Sequence, residues 1–407
     1  MSATVPWGAI THPLQILVLV FVAYGAVTAL FGWPAPQIAP RGDRTRRFRI
    51  VIPAHDEAHV VGALLTDITD QDYPRPLVTT WVVADRCQDD TAAVAAAAGA
   101  AVDIRTVGPS GKGAALDWHL QRHPLAEDEV LLVVDADNRI PPNLLARFAD
   151  ELDAGSEVLQ AYLDVTNPGA SPLATAGAVS YWASNRMIQQ ARRRLGWSAD
   201  LGGTGMAMTA SALERAGGFG DSLAEDADLG VRLTLAGARV DWVHDVRVAD
   251  EKPATLAATV GQRARWAAGR RAAARRHFLA LVGESVRRRS LGRFDLALRL
   301  IQPGRTLIAL LSGVVTAAAL LWAPHWLLPA PWWLVATGIQ VLAPLPFLVR
   351  DGVPARYVVR YPALLLLAGL AIPIRLVSRV RRTWYHTRHR GVSPPDSAPS
   401  GGPDRDP

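Results

Sequence analysis

Cysteine is almost absent. Cys87 stands alone in 407 residues, which excludes an intrachain disulfide and fits a reducing, cytoplasmic setting. Lysine is scarce too: Lys112 and Lys252 are the only two among 43 basic residues, so arginine carries the net charge of +6. Residues 1–12 hold no Lys, Arg, Asp or Glu, so the basic start of a cleaved signal peptide is missing. No nucleic-acid recognition motif accompanies the positive charge, and no internal repeat is present. Gly111-Lys112-Gly113 lacks the spacing of an ordinary P-loop.

Hydrophobic residues are not scarce: they make up half of the chain. They concentrate at 14–33 and from 305 to 380, leaving 45–285 with ordinary globular character. Leu14 to Trp33 is an uncharged run long enough to cross a bilayer. Arg41, Arg44, Arg46, Arg47 and Arg49 follow it. The positive-inside rule then predicts an anchor over 1–40, its N-terminus outside and these arginines in the cytoplasm. Thr306–Trp322 and Trp332–Val349 are expected spans. Ala323 to Pro331 between them is expected outside, and Arg350, Arg356 and Arg360 inside. Tyr361–Val377 carries two prolines and Arg375; a re-entrant segment and a third span both stay open for it. Basic residues from Arg270 to Arg289 alternate with apolar ones, predicting interfacial amphipathic helices over 271–304 and a transmembrane region over 305–380. The tail 391–407, rich in Pro, Ser, Gly and Asp, is expected to be disordered. The expected location is the inner (plasma) membrane, multi-pass, with the globular part cytoplasmic.

That globular part alternates strand and helix. Phe48–Ile52 reads as a strand, Val60, Val61, Leu64, Leu65 and Ile68 as one helix face, and Trp81–Asp85 as a second strand. An Ala-rich helix at 91–99, a strand at 102–107, a helix at 113–121 and an apolar strand at 129–134 follow. This βαβαβαβ order predicts an α/β domain with a mainly parallel sheet and helices on both faces. Ligands bind such sheets at the carboxyl ends of the strands. His55, Asp56, Glu57, Asp85, Lys112, Asp135 and Asp137 all fall there. Asp56 and Asp90 are placed to cap the helices that follow. Asp135 and Asp137 are costly to bury unpaired. A hard divalent cation bridged to a diphosphate would use them; a solvated strand-end turn is the alternative.

Taken together, Pro53-Ala54-His55-Asp56-Glu57, Ala84-Asp85-Arg86-Cys87-Gln88-Asp89-Asp90-Thr91, Gly111-Lys112-Gly113 and Asp135-Ala136-Asp137 resemble the nucleotide-sugar half of family 2 glycosyltransferases with the GT-A fold. Gly202-Gly203-Thr204-Gly205 resembles their glycine-rich acceptor-side loop, and Glu225-Asp226-Ala227-Asp228 their base-bearing acidic motif. Gln262-Arg263-Ala264-Arg265-Trp266 is similar to the signature of membrane-integrated members, among them cellulose, chitin and hyaluronan synthases and lipid glycosyltransferases. The resemblance covers 48–270 and implies a Rossmann-like GT-A domain over 45–270 with transmembrane and interfacial helices around it.

It also implies a reaction: inverting, metal-dependent transfer of a sugar from a nucleotide-diphosphate sugar, with UDP as the expected nucleotide. The acceptor would be a membrane-associated lipid or glycan. By resemblance Asp226 is the catalytic base, which takes the proton of the attacking hydroxyl. Asp137 would hold Mg²⁺ or Mn²⁺, and Asp135 the ribose or metal. Pro53, His55 and Glu57 would line the nucleoside pocket, Asp85 would meet the base, Lys112 would lie near the nucleotide and Arg265 would contact the diphosphate. Gly203, Glu225, Gln262 and Trp266 fall on the acceptor side. Arg263 has no assigned contact, and Asp228 is either a supporting group or solvated. The usual Asp-Asp-Gly-Ser is here Ala84-Asp85-Arg86-Cys87, which leaves one acid for the base. A processive polysaccharide synthase and an inactive membrane scaffold are the other readings, and no nucleic-acid partner is expected. Few C-terminal spans argue against a wide secretion channel.

Overall fold

The computed structural model describes residues 7–322 and 324–380; the 391–407 tail lies outside the described residues. α1 (Trp7–Leu30) leads into β1 (Arg47–Ala54), α2 (Val61–Thr69), β2 (Val78–Asp85), α3 (Thr91–Ala97), β3 (Ala101–Arg105), α4 (Lys112–Arg122), β4 (Glu129–Val133) and α5 (Leu144–Asp153). Then come β5 (Val158–Val165), α6 (Pro172–Ser184), a π-helical turn at Asn185–Gln190, α7 (Ala191–Leu195), β6 (Met206–Thr209), α8 (Ala210–Ala216), α9 (Glu225–Leu235) and β7 (Val240–Asp250). The seven strands form one sheet in the order β3-β2-β1-β4-β6-β5-β7. β6 is antiparallel to both neighbours, and the other pairings are parallel.

The pleat explains the two layers. Val51, Val83, Leu131 and Val133 point to one face, where they meet Leu116 of α4, Ala178 of α6 and Leu229 of α9. Ile50, Ile52, Val82 and Leu132 point to the other, against Leu64 of α2 and Leu144 and Phe148 of α5. Successive strand residues alternate faces, so apolar runs such as β4 need cover on both sides. All five residues of β4 are buried.

α10 (Leu256–Arg287) and α11 (Leu291–Ile301) follow the sheet. The expected boundary at 270 falls inside α10, which runs unbroken through it. α12 (Arg305–Leu321), α13 (Ala330–Leu342) and α14 (Pro344–Arg350) come next. Two helical stretches are long and apolar enough to cross a membrane, Trp7–Leu30 and Ala330–Arg350. The span expected at 306–322 falls on a 17-residue helix, which forms with α11 a pair bent by 69°, the geometry of a broken span or a re-entrant loop. Tyr361–Gly369 and Ala371–Ser378 form a second bent pair, at 40°. That geometry suits a broken span or a re-entrant loop.

α1 lies along α13 and α14 in the same direction. At one end Gln15 donates to the Trp326 carbonyl (2.8 Å) and accepts from the Leu328 N–H (2.8 Å). At the other, the Trp33 ring meets Phe347 edge-on at 5.4 Å, and Arg350 donates to the Trp33 carbonyl at 2.6 Å. Four of the five arginines after α1 pair with acids of the sheet domain. Arg44 pairs with Asp150, Arg46 with Asp153, Arg47 with Asp128 and Arg49 with Glu129.

Just past α14, Asp351 is buried in the sheet domain. Its carboxylate accepts from Tyr162 of β5 (2.6 Å) and Arg186 of the π-helical turn (2.9 Å), and lies 2.7 Å from His244 Nε2 of β7. Burial alone would raise its pKa, but His244, Tyr162 and Arg186 hold it below the ordinary carboxylate range.

Candidate active site

The carboxyl ends of β1 and β2 are tied together. Pro53 pairs with Val83 within the sheet. His55 Nδ1 lies 2.6 Å from the Asp85 carbonyl. Asp56 and Arg86 both have φ of 56°, a left-handed conformation that non-glycine residues avoid. Such strain is held by its surroundings: Asp56 Oδ1 accepts from the Gln88 N–H (2.7 Å), and Asp89 accepts from the N–H groups of Ala58 and Thr91 (both 3.0 Å). Neither Asp56 nor Asp90 caps a helix, contrary to expectation. Val60 is the N-cap of α2, and Asp90, at the N-cap of α3, makes no capping bond. Asp56 is turned toward Gln88, and Asp89 takes the donor at the start of α3.

The Asp85 carboxylate is shared between two guanidiniums, Arg105 at 2.7 Å and Arg86 at 3.0 Å. Neither arginine was singled out by the sequence. Their partners lie one residue and twenty residues away, and no local pattern marks the second.

Asp135 and Asp137 follow β4. The Asp135 carboxylate pairs with Lys112 Nζ, and that ammonium also donates to the Gly203 carbonyl at 2.6 Å. Burial opposes the Lys112 charge, but Asp135 and Glu225 hold its pKa above the ordinary value. The Asp135 N–H donates to Thr204 Oγ1 (3.0 Å), Thr204 donates to Asn138, and Asn138 Nδ2 donates to Asp137 (3.1 Å). The glycine-rich loop thus sets the acidic turn. Gly203 has φ of 84° and a β-carbon there would stand 3.4 Å from Asp226 Oδ2 and 3.8 Å from Lys112 Nζ. Asp226, Lys112, Gly203 and Asp135 therefore meet at one point, although they come from four segments.

Glu57 is buried beside them. Burial pushes its carboxyl up to about 9, with Asp137 and Asp135 adding to the shift. Its Oε2 is buried without a hydrogen-bond partner. An all-oxygen donor set of Asp135 and Asp137, with this orphaned carboxyl oxygen nearby, fits a hard divalent cation.

Glu225 and Asp226 open α9. Burial, then the neighbouring Asp226, pushes Glu225 up to about 7. Burial likewise raises Asp226, against the pull of Lys112 and Arg265. Arg265 thus reaches the pair electrostatically from α10. Asp228 is not solvated. It is 2% exposed and held by Arg232 (2.8 Å) and His277 (2.9 Å), a structural anchor of α9 on α10. Gln262 and Trp266 line a small cleft with Lys252 and Tyr181, and the Trp266 and Tyr181 rings are 6.4 Å apart.

A larger cavity of about 480 Å³ lies behind Asp226. Trp266, Gly202 and Arg263 line it on the globular side, and Phe21 of α1, Ile308 of α12 and Ile339 of α13 on the other. Pro53, His55, Glu57, Asp85, Lys112, Asp135 and Asp137 do not line it. Asp226 is therefore reached from two sides, one acidic and one partly apolar.

A family model described as "Glycosyltransferase like family 2" matches residues 46–269, more than half of the chain. The chain belongs to this glycosyltransferase family. The glycosyltransferase is 26% identical over 231 residues to a beta-monoglucosyldiacylglycerol synthase of Trichormus variabilis, covering 54% of this chain and 48% of the relative. It is 26% identical over 290 residues to an N-acetylglucosaminyltransferase of Rhizobium meliloti, covering 67% of each. The chain thus spans about half the length of the first of these relatives. A solved mannosyltransferase from Pyrobaculum calidifontis, PcManGT in complex with GDP-Man and Mn²⁺, superposes with a TM-score of 0.60 at 20% identity. That match covers 91% of this glycosyltransferase and 99% of PcManGT. It establishes the GT-A fold expected for 45–270.

Proposed function

We propose that this glycosyltransferase moves a sugar, with inversion, from a nucleotide-diphosphate sugar to a lipid acceptor at the membrane. The observation that carries this reading is the cavity that joins Asp226 and Trp266 to the walls of α1, α12 and α13. A water-soluble acceptor has no need of such walls, whereas a lipid could present its headgroup to Asp226 from them. The synthase of Trichormus variabilis, named for a glycosylated diacylglycerol, supports the same class of acceptor. α1 and 330–350 would cross the membrane, with the sheet domain on the cytoplasmic side.

Pro53, His55 and Glu57 would form the nucleoside side, with Asp85 facing the base through the carboxylate that Arg86 and Arg105 already share. Asp137 and Asp135 would hold Mg²⁺ or Mn²⁺, which when bound neutralises charge on the leaving diphosphate. Arg265 adds a fixed guanidinium fork suited to phosphate. Lys112, between Asp135 and the Gly203 carbonyl, fixes the donor side against the base. Asp226 accepts the proton of the attacking hydroxyl as the new bond forms at the anomeric carbon. Gly203 allows backbone to pass this close to Asp226; Gln262 and Trp266 would floor the acceptor side.

The test is a screen of UDP- and GDP-sugars against the detergent-solubilised protein, with and without Mg²⁺ or Mn²⁺. Metal-dependent release of one nucleoside diphosphate, raised by added lipid, is the expected result. Failure of every donor to bind or react would overturn the reading.

Glu225 gives a pH prediction. A base works only when deprotonated, and burial raises Asp226 above the ordinary carboxylate value, with Glu225 beside it raised to about 7. Transfer should therefore fall on the acid side at a higher pH than an ordinary Asp would set. Removing one carboxylate relieves the other, so Glu225→Gln should move the acid limb to lower pH, by roughly one unit. A limb that stays in place would show that Glu225 is not coupled to the base.

A further inference from the structure

The cavity behind Asp226 holds charges that a neutral lipid would not need. Five arginines line it: Arg192, Arg263, Arg270, Arg299 and Arg305. Two are neutralised. Asp295 pairs with Arg192 (2.7 Å) and Arg299 (3.1 Å), and Asp200, also in the lining, pairs with Arg299. For Arg263, Arg270 and Arg305 no carboxylate lies within ion-pair distance among the described residues. Among the described residues, Arg305 donates to the Met187 Sδ at 3.7 Å, a weak acceptor. Arg263 and Arg305 are half-buried, whereas Arg270 is exposed at the rim. Burial works against the Arg263 charge, Tyr181 favours it and Arg270 repels it. A desolvated cation without a counter-ion is expensive. The remaining acid of the lining, Asp226, is the base.

We infer that the acceptor is an anionic phospholipid whose headgroup carries both a phosphate diester and a free hydroxyl, the phosphate being bound by Arg263, Arg270 and Arg305. The inference rests on the lipid-acceptor reading above and narrows it. Guanidiniums fit phosphate oxygens as paired donors. The walls from α1, α12 and α13 suit the acyl chains. The hydroxyl follows from Asp226: an ionised lipid monophosphate has no proton for a base to take, whereas a headgroup hydroxyl has one. In the step, the hydroxyl oxygen forms a bond to the anomeric carbon and its proton passes to Asp226. The bond from that carbon to the diphosphate breaks, and its electron pair leaves with the nucleoside diphosphate.

The test uses the full chain in detergent with three lipids of the same acyl chains: phosphatidylglycerol, diacylglycerol and phosphatidic acid. Lipid retention is read by native mass spectrometry, and transfer by release of nucleoside diphosphate from the donor found in the screen. Phosphatidylglycerol should be retained over diacylglycerol and should accept sugar. Phosphatidic acid should bind without accepting. Arg263→Gln and Arg305→Gln should each weaken phosphatidylglycerol retention about tenfold or more. Arg287→Gln, at an exposed pair with Glu284, should leave it unchanged, and Asp226→Asn should bind lipid but not transfer. Each single variant is checked by its melting temperature and donor binding, so one that folds suffices to decide. Equal retention of diacylglycerol, or retention insensitive to both arginine variants, would overturn phosphate recognition. Transfer to diacylglycerol in that case would leave the lipid-acceptor reading standing; no transfer to any lipid would sink both.

Discussion

Replacing Asp226 by Asn is expected to lower transfer by about 10²–10⁴-fold, the usual contribution of a positioned base. Asn keeps the shape and the polarity but cannot take a proton. The change is confined to chemistry because donor groups and base come from different segments. Lys112, which reaches both sides, keeps its pairing with Asp135 and the Gly203 carbonyl. Donor affinity should therefore stay within a few-fold of the parent, and kcat should carry the loss. Single-turnover kinetics at saturating donor would check it. A variant with more than a tenth of the parent rate would remove Asp226 from the base role. Loss of donor binding along with rate would move it to the nucleotide side.

The second large effect concerns Asp351. Asp351→Ala should cost about 3–5 kcal/mol, because Arg186 is left as a buried charge with its partner gone. Tyr162 and His244 lose the same acceptor. Thermal unfolding in detergent should show a fall in Tm on the order of 10 °C. The depressed pKa of Asp351 also sets a sign. Its stabilisation is present above the ordinary carboxylate range and is lost as pH falls through its lower folded value. The gap between parent and variant should thus close in acid. A Tm within about 2 °C of the parent at neutral pH would mean that the network is dispensable.

Both residues bear on how much the sequence could say. The four strand ends and the acidic turn were legible, because strands of buried Val, Leu and Ile alternate with helices and deliver polar residues to one edge; Asp226 was singled out only by the resemblance of its acidic motif. β6 was not. It has four residues, too few for a period, and it enters the sheet antiparallel between β4 and β5. Pairing of charge was not legible either. Arg263 and Arg276 sit in one basic run, yet Arg276 finds Asp228 at 3.6 Å and Arg263 faces a cavity. Such partners are set by the approach of distant elements. The arginines at 44–49 show the reverse case. They read only as a positive-inside signal, yet acids on α5 and on and beside β4 take them up. Asp56 misled for a local reason: its left-handed backbone turns the carboxylate away from the helix that it precedes.

The parallel alignment of α1 with 330–350 has a consequence for biosynthesis. α1 meets its lengthwise partner only after some three hundred further residues have been made. Until then Gln15 has neither the Trp326 carbonyl nor the Leu328 N–H, and Trp33 has no Phe347. The sheet domain, whose strands all lie between the two, is synthesised in full before that closure. One wall of the cavity is thus made before the sheet strands and another after them. An unfinished chain that stops after the sheet domain therefore lacks the walls that α12 and α13 give the cavity beside Asp226.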